Sequence, residues 1–365
     1  MIALAATACA STARAPEVAP AAAVAITHDT VIDVTGGPSL RNATVVVRGN
    51  RIAGVGPSDS VPTPADAQVV DGRGKFLIPG LWDMHVHAAW PNIADPLSKL
   101  FVANGVTGVR DMWCDADVIR DWRAHVAARD GKYPRLVAAG NLVDGPQPVW
   151  PNSIRVGDAG DARNAVRSLQ QDGADFIKVY SHLPRDAYFA IANEAKQLGI
   201  TFAGHVTIAI TAAEASDAGQ RSIEHLTGVA LGCSSLEPQI VQEVANTIAS
   251  RGWAAASALE RAAGALIDST YDASRCQALP ERFVRNETWQ VPTLTARYNV
   301  THLDDPVDGD PLADIHNVSR IAAVVVNGRL IDGAARERLL NDAAGASGPV
   351  DRRVAPGQVR RRRPE

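Results

Sequence analysis

The sequence predicts an α/β fold built on a TIM-type (β/α) barrel, and three observations support this. From residue 81 onward, short apolar segments alternate with helical segments, as is typical of parallel β/α units. Four histidines and one lysine lie toward the carboxyl ends of the predicted strands, the face where barrel enzymes place their chemistry. Ahead of this alternation, residues 24–80 contain short β segments, which predict a small β domain.

The β/α units follow one another along the chain. Helices are predicted where apolar residues recur at helical spacing, and glycines such as Gly105 and Gly199 mark their ends. The predicted strands are 81–90, 106–112, 136–144, 176–181, 201–207, 222–228 and 290–296. The predicted helices are 95–104, 117–129, 161–171, 186–198 and 214–219.

The first predicted strand carries the sequence LWDMHVHAAW at 81–90. Because side chains alternate along a strand, His85 and His87 point to the same face and can bind one metal ion together. An H-x-H pair also occurs by chance, and its ring nitrogens are then satisfied by backbone groups at the strand end. The pair alone therefore leaves both interpretations open.

Three further residues favour the metal interpretation. Lys178 lies within the apolar strand FIKV, where an unpaired ammonium is costly to bury, so it either extends to solvent or has a function. His205 and His225 lie toward the carboxyl ends of the fifth and sixth predicted strands. Independent structural histidines would not be expected to occupy equivalent positions on separate β/α units, so the sequence predicts a metal site.

Five blocks of this sequence resemble the amidohydrolase superfamily, in its dipeptidase-like and imidazolonepropionase-related branch. They are FLIPGLWDMHVH at 76–87, GVTGVRDM at 105–112, DFIKVYS at 175–181, GHV at 204–206 and IEHL at 223–226. The resemblance implies two divalent metal ions, usually zinc, at the mouth of the barrel. His85 and His87 would bind the first ion, and His205 and His225 the second. Lys178 would bridge both ions as a carbamate formed with carbon dioxide.

The resemblance implies a metal-dependent hydrolase of amide or other C–N bonds. A metal-bound hydroxide would attack small substrates such as dipeptides, N-acyl amino acids or cyclic amides. Tyr180 and Arg110 are candidates for substrate contact, with a structural role as the alternative. Residues 145–156 form a long loop that is a candidate wall of the substrate pocket. Lactones and phosphotriesters are alternative substrates, because the same metals can attack them.

The catalytic residue is left unknown by the sequence. The family pattern requires an aspartate after the eighth strand, which acts as the proton shuttle. In this chain, residues 290–296 are followed almost directly by a segment that resembles the return to the small β domain. We therefore expect an incomplete barrel that lacks strand 8. A truncated, catalytically inactive relative that binds metal at most is the alternative. Nearby carboxylates either substitute for the aspartate or form a solvated acidic turn: Asp304, Asp305, Asp308 and Asp310.

The predicted domains are an export signal and tether at 1–23, a small β-sandwich domain from 24–80 and 311–345, a barrel at 81–300 and a basic tail at 346–365. A hairpin is expected across Asn327 and Gly328. The apolar start and the following Ala/Pro-rich segment predict an exported, periplasmic protein or a lipoprotein tethered to the membrane through Cys9. After export, Cys233 and Cys276 could pair.

The net charge of the chain indicates which classes of partner to expect. A formal net charge of -4 gives no reason to expect nucleic acid as a partner. A small, uncharged or mildly polar substrate fits the composition better. The sequence leaves a homo-oligomer open.

Overall fold

A computed structural model describes residues 23–294 and 321–346 of the chain. Several predicted features lie outside these residues: the export segment with Cys9, the expected place of strand 8 with its acidic residues, and the basic tail. Among the described residues, no helix is both long enough and apolar enough to cross a membrane.

The described chain divides into two compact units. The first runs to Pro79 and includes Asn327–Leu330, and the second runs over Gly80–Val326 and resumes at Ile331. The predicted hairpin is present, because two short strands flank the turn at Asn327 and Gly328.

The first unit is organised around one central strand, β1 (Val24–Val31). It pairs antiparallel with β2 and parallel with β4 and β5, while β2 pairs antiparallel with β3. Gly49 has a φ of 62°, which suits the tight connection between β2 and β3. The other strands are β2 (Leu40–Arg48), β3 (Arg51–Pro57), β4 (Gln68–Asp71) and β5 (Phe76–Leu77).

The second unit is an α/β structure whose described strands form two parallel sheets rather than one closed ring. The first sheet contains β6 (Leu81–Val86), β7 (Val106–Asp111) and β8 (Arg135–Ala138). The second contains β9 (Val143–Asp144), β10 (Ile154–Arg155), β11 (Phe176–Val179), β12 (Thr201–Gly204), β13 (Ser222–Glu224) and β14 (Trp289–Val291).

The third predicted strand differs from the structure, because it is interrupted. Gly140 adopts a φ of 70° between β8 and β9, which breaks the extended backbone. Asp175 links the two sheets at this point. Its backbone N–H donates to the Ala138 carbonyl at 2.8 Å, and its carboxylate accepts the Ala138 N–H at 2.7 Å.

Helices connect the strands much as the sequence predicts. Asp115 and Asp158 accept backbone N–H groups at the starts of two helices, and Thr211 forms a capping box with Glu214. Gly199 ends another helix with a φ of 65°. These helices are α1 (Ala94–Ala103), α2 (Ala116–Ala128), α3 (Ala159–Gln171), α4 (Arg185–Leu198) and α5 (Ala212–Asp217).

A group of helices that the sequence analysis left unassigned lies between β13 and β14. The first four contribute to one apolar core, in which Ile240, Val244 and Trp253 are buried, whereas Leu279 and Phe283 of the last helix lie in the main core of the unit. A disulfide joins Cys233 to Cys276, the pair that the sequence left open. The helices are α6 (Val229–Gly232), α7 (Glu237–Arg251), α8 (Trp253–Ala262), α9 (Gly264–Ser269) and α10 (Ala273–Arg285).

The carboxyl-terminal part of the predicted β-sandwich domain differs from the structure. The hairpin strands are β15 (Val324–Val326) and β16 (Arg329–Ile331), but α11 (Gly333–Ala346) follows as a helix. Leu339 of α11 is buried in one apolar cluster with Val102 of α1. Burial of this helical apolar face therefore places α11 with the second unit.

We expect the disulfide to contribute to stability, because it closes a loop with a sequence separation of 43. Replacing Cys233 and Cys276 together by alanine should lower the free energy of unfolding by about 2 to 4 kcal/mol. Urea denaturation measures this loss, and reduction of the wild-type protein should reproduce it. Reductant should leave the double variant unchanged, and equal stability of the two oxidised proteins would contradict the prediction.

Candidate metal centre

The structure brings together the four histidines that the sequence predicts as metal ligands. His85 and His87 lie at the end of β6, and their ring centroids are 5.2 Å apart. His225 follows β13, and its ring centroid lies 4.5 Å from that of His85. His205 follows β12, with its ring centroid 5.0 Å from that of His225. Residues from three separate strands thus form one imidazole cluster.

Unusual backbone geometry positions two of these histidines. Gly204 has a φ of 141°, and a Cβ at this position would lie 2.1 Å from the Val179 carbonyl oxygen, so only glycine fits immediately before His205. His225 and Leu226 have φ values of 58° and 57°, which non-glycine residues adopt rarely and often at functional sites.

Three of the histidines are held by a hydrogen bond to Nδ1. The partners are the Glu224 carboxylate for His85 (2.6 Å), the Ser181 hydroxyl for His205 (2.9 Å) and the Thr293 hydroxyl for His225 (2.7 Å). This arrangement is typical of metal-binding histidines, in which a protein group fixes one ring nitrogen and the other faces the metal. Among the described residues, the buried Nε2 atoms of His85 and His205 have no hydrogen-bond partner.

Lys178 is buried in the same cluster, with a relative exposure of 1%. Its Nζ atom has no hydrogen-bond partner in the described part of the chain. Burial lowers the pKa of Lys178 to about 7, although the charge of Glu224 acts in the opposite direction. A substantial fraction of the amine is therefore neutral near pH 7, and a neutral amine can react with carbon dioxide.

The buried histidines are also poised in the neutral form. Burial lowers the pKa of His205 well below its usual value, and the neighbouring Lys178 adds to this effect. Burial also lowers the pKa of His85, partly offset by its hydrogen bond to Glu224. Neutral imidazole is the form that binds metal ions.

Of the two roles that the sequence leaves open for Arg110, its contacts favour the structural one. Arg110 is buried, and each of its three guanidinium nitrogens donates a hydrogen bond. It donates to the Met84 carbonyl (2.8 Å), the Ser222 hydroxyl (2.9 Å) and the Glu224 carboxylate (2.7 Å). Because Glu224 in turn binds His85, Arg110 positions a candidate ligand. Glu224 belongs to the IEHL block at 223–226, and the sequence alone indicates no role for it.

Asp111 is a second buried carboxylate that the sequence analysis did not single out. It accepts the backbone N–H groups of Ala88 (2.7 Å), Ala89 (2.8 Å) and Trp113 (3.0 Å). Burial raises the pKa of Asp111 to about 6, while these hydrogen bonds lower it. Asp111 thereby fixes the chain that follows His87 against the end of β7.

Tyr180 lies in the cluster, as its predicted role requires. Its ring stacks on His205 with a centroid distance of 3.9 Å. Its hydroxyl accepts a hydrogen bond from Trp150 Nε1 at 2.9 Å. Trp150 belongs to the loop at 145–156, so this loop reaches the cluster.

The donor chemistry fits a divalent metal centre. Within residues 23–294 and 321–346, no three His, Cys, Asp or Glu side chains are grouped closely enough to hold one ion by themselves. Lysine is not one of these residue types, and Lys178 lies among the histidines. Two buried imidazole nitrogens without partners and one buried amine without a partner are polar groups that a metal and a carbamate would satisfy.

Comparison with known proteins gives imidazolonepropionases and deaminases as similar sequences. An imidazolonepropionase from Deinococcus radiodurans is 25% identical over 213 residues, which cover 56% of this chain and 43% of that protein. The chain therefore spans less than half the length of this relative, and its matches to two other imidazolonepropionases cover 15% and 12% of their lengths. No model of a known protein family matches.

Solved structures share the fold. A Xaa-Pro dipeptidase is 18% identical with a TM-score of 0.57, covering 85% of this chain and 100% of the other. A protein described as an amidohydrolase is also 18% identical with a TM-score of 0.57, covering 85% and 99%. The sequence matches and the shared fold support the resemblance to the amidohydrolase superfamily that the motifs indicate. Members of this superfamily generally use divalent metals.

The lowered pKa of Lys178 predicts a pH dependence of stability in metal-free protein. Between about pH 7 and 10.5 the unfolded chain keeps the lysine proton and the folded chain does not, so the free energy of unfolding should rise with pH. Relative to Lys178→Met, the wild-type protein should gain up to about 4 kcal/mol between pH 7 and pH 10. Urea denaturation in buffers free of carbon dioxide measures this gain, and parallel pH profiles for the two proteins would contradict it.

Proposed function

We propose that this chain is a metal-dependent hydrolase that cleaves amide or other C–N bonds of small substrates. One observation carries the proposal. His85 and His205 have Nδ1 held by protein groups and a buried Nε2 without a partner, next to a buried lysine whose pKa is about 7. Burying such groups unpaired is costly, and binding of metal ions would remove that cost.

In this proposal, His85 and His87 hold one ion and His205 and His225 hold the other, with zinc as the expected metal. Lys178 would supply oxygen ligands to the ions as a carbamate, formed when its neutral amine adds to carbon dioxide and releases one proton to solvent. Bound divalent ions supply activation of water near neutral pH and polarisation of the scissile carbonyl.

The surrounding residues hold the proposed metal-binding histidines in fixed orientations. Glu224 fixes His85 in one orientation and tautomer, and Arg110 holds Glu224 in place. Ser181 and Thr293 orient His205 and His225 in the same way. The residue that transfers the proton to the leaving group is unassigned, because the sequence offers no strand 8 to carry the expected aspartate.

The relatives indicate the kind of bond. Imidazolonepropionase and Xaa-Pro dipeptidase are the names of proteins similar to this chain in sequence or in fold. We therefore propose cyclic amides, dipeptides and N-acyl amino acids as substrate classes, with Tyr180 in contact with the substrate.

The disulfide supports a proposed cellular location. Disulfides persist in oxidising compartments and are rare in the reducing cytosol. The Cys233–Cys276 pair therefore favours an exported protein, as the apolar start of the chain predicts.

Hydrolysis assays test the proposed function. Protein prepared with zinc and bicarbonate should hydrolyse members of a panel of dipeptides, N-acyl amino acids and cyclic amides, and chelator should abolish the turnover. His205→Ala should lower kcat/KM by at least about 100-fold, because a metal ligand is removed.

The matched control is His125→Ala, because His125 lies on α2, is largely exposed and pairs with Asp130. This variant should keep full activity. Turnover by metal-free protein would contradict the metal role. Hydrolysis confined to lactones or phosphotriesters would replace C–N bonds as the target, and no hydrolysis of any substrate would favour an inactive relative.

A further inference from the structure

Four aromatic residues form a continuous surface, here called the aromatic wall. Its members are Trp90, Trp113, Trp150 and Tyr180. Trp90 and Trp113 meet edge to face at a centroid distance of 5.0 Å, and Trp113 and Trp150 are 5.5 Å apart. The Trp150 indole N–H donates to the Tyr180 hydroxyl, which completes the series.

Two members of the aromatic wall contact the histidine cluster. Trp113 packs edge to face against His87 with a centroid distance of 6.2 Å, and Tyr180 stacks on His205 at 3.9 Å. Its four members come from separate segments of the chain, each following a different strand. The wall therefore lies beside the proposed reaction site at the carboxyl ends of the strands.

Core packing alone does not account for this surface. Trp113 is 6% exposed, and its buried Nε1 has no hydrogen-bond partner among the described residues. A buried tryptophan N–H usually finds an acceptor, as Trp122 does in this chain at the Pro134 carbonyl (2.8 Å). Trp90 and Trp150 remain partly exposed, so the wall is open to a ligand.

The charges near the wall define the ligand that it fits. None of the four members carries a charge. The nearby Asp144 is buried, and its carboxylate already accepts backbone N–H groups from Gly145 (2.9 Å), Val149 (2.8 Å) and His182 (2.7 Å). This carboxylate is therefore committed to the loop and is a poor partner for a cationic ligand. Flat aromatic surfaces favour stacking of another flat ring.

We propose that the aromatic wall is a substrate subsite that binds an uncharged aromatic group carrying a hydrogen-bond acceptor for Trp113 Nε1. The proposal rests on the proposed function, because the subsite serves substrates cleaved at the adjacent metal centre. It narrows the substrate class to amides with an aromatic acyl or amine part.

Hydroxamates that chelate the metal test the subsite without requiring turnover. We would measure the Kd of acetohydroxamate, cyclohexanecarbohydroxamate and benzohydroxamate for zinc-loaded protein by isothermal titration calorimetry. Benzohydroxamate should bind about tenfold more tightly than the cyclohexane compound, because only the planar ring stacks on the wall. Nicotinohydroxamate or isonicotinohydroxamate should bind more tightly still, because the ring nitrogen offers an acceptor to Trp113.

Substitutions in the aromatic wall test whether its residues cause the preference for a planar ring. Trp113→Leu and Trp150→Leu should each bring the Kd values of the benzene and cyclohexane compounds to within about threefold of one another. Trp113→Phe should keep the preference for a planar ring and lose the added gain from the ring nitrogen. Trp289→Leu is the matched control, because Trp289 is 71% exposed at the start of β14, and it should behave like the wild-type protein.

The outcomes separate the two proposals. Equal binding of the benzene and cyclohexane compounds would overturn the aromatic subsite and leave the metal centre intact. Tighter binding of a trimethylammonium hydroxamate than of benzohydroxamate would show a cation site instead and overturn the proposal. Absence of binding by all hydroxamates would overturn the metal centre, and the subsite proposal with it.

Discussion

A fully buried carboxylate, that of Glu224, holds the candidate site together. It accepts hydrogen bonds from His85 of β6, Arg110 of β7 and Ser222 of β13. Burial alone would raise the pKa of Glu224, but the hydrogen bond to His85 and the charge of Arg110 bring it below its usual value. A buried charge is tolerated only when it is paired and hydrogen-bonded. The relative placement of three strand ends therefore depends on these contacts.

The same network explains how a lysine can be buried among imidazoles. Desolvation disfavours the ammonium form of Lys178, and the carboxylate whose charge most favours that form, that of Glu224, is already shared with Arg110 and His85. The amine thus has no dedicated counter-ion among the described residues. The neutral lysine and the neutral histidines offer lone pairs that can bind metal cations. The aromatic wall supplies an uncharged surface beside them.

Part of this arrangement could be predicted from the sequence. Strand alternation placed His85 and His87 on one face, and the β/α repeat placed Lys178, His205 and His225 at equivalent strand ends. The partners of these residues are distant in sequence, because His85 and Glu224 are separated by 139 residues and Arg110 and Glu224 by 114. No local pattern encodes such contacts, so the sequence leaves Arg110 open between a substrate contact and a structural role and indicates no role for Glu224. The interruption at Gly140 depends on one positive φ, and the aromatic wall arises only when four segments meet.

The most direct test of the account is to locate the metal by anomalous diffraction at the zinc absorption edge, using crystals grown with zinc and bicarbonate. The account predicts two peaks enclosed by His85, His87, His205 and His225, with additional density on Lys178 for the carbamate. The absence of a peak within the histidine cluster would contradict this account. A single ion bound elsewhere, together with an unmodified Lys178, would also contradict it.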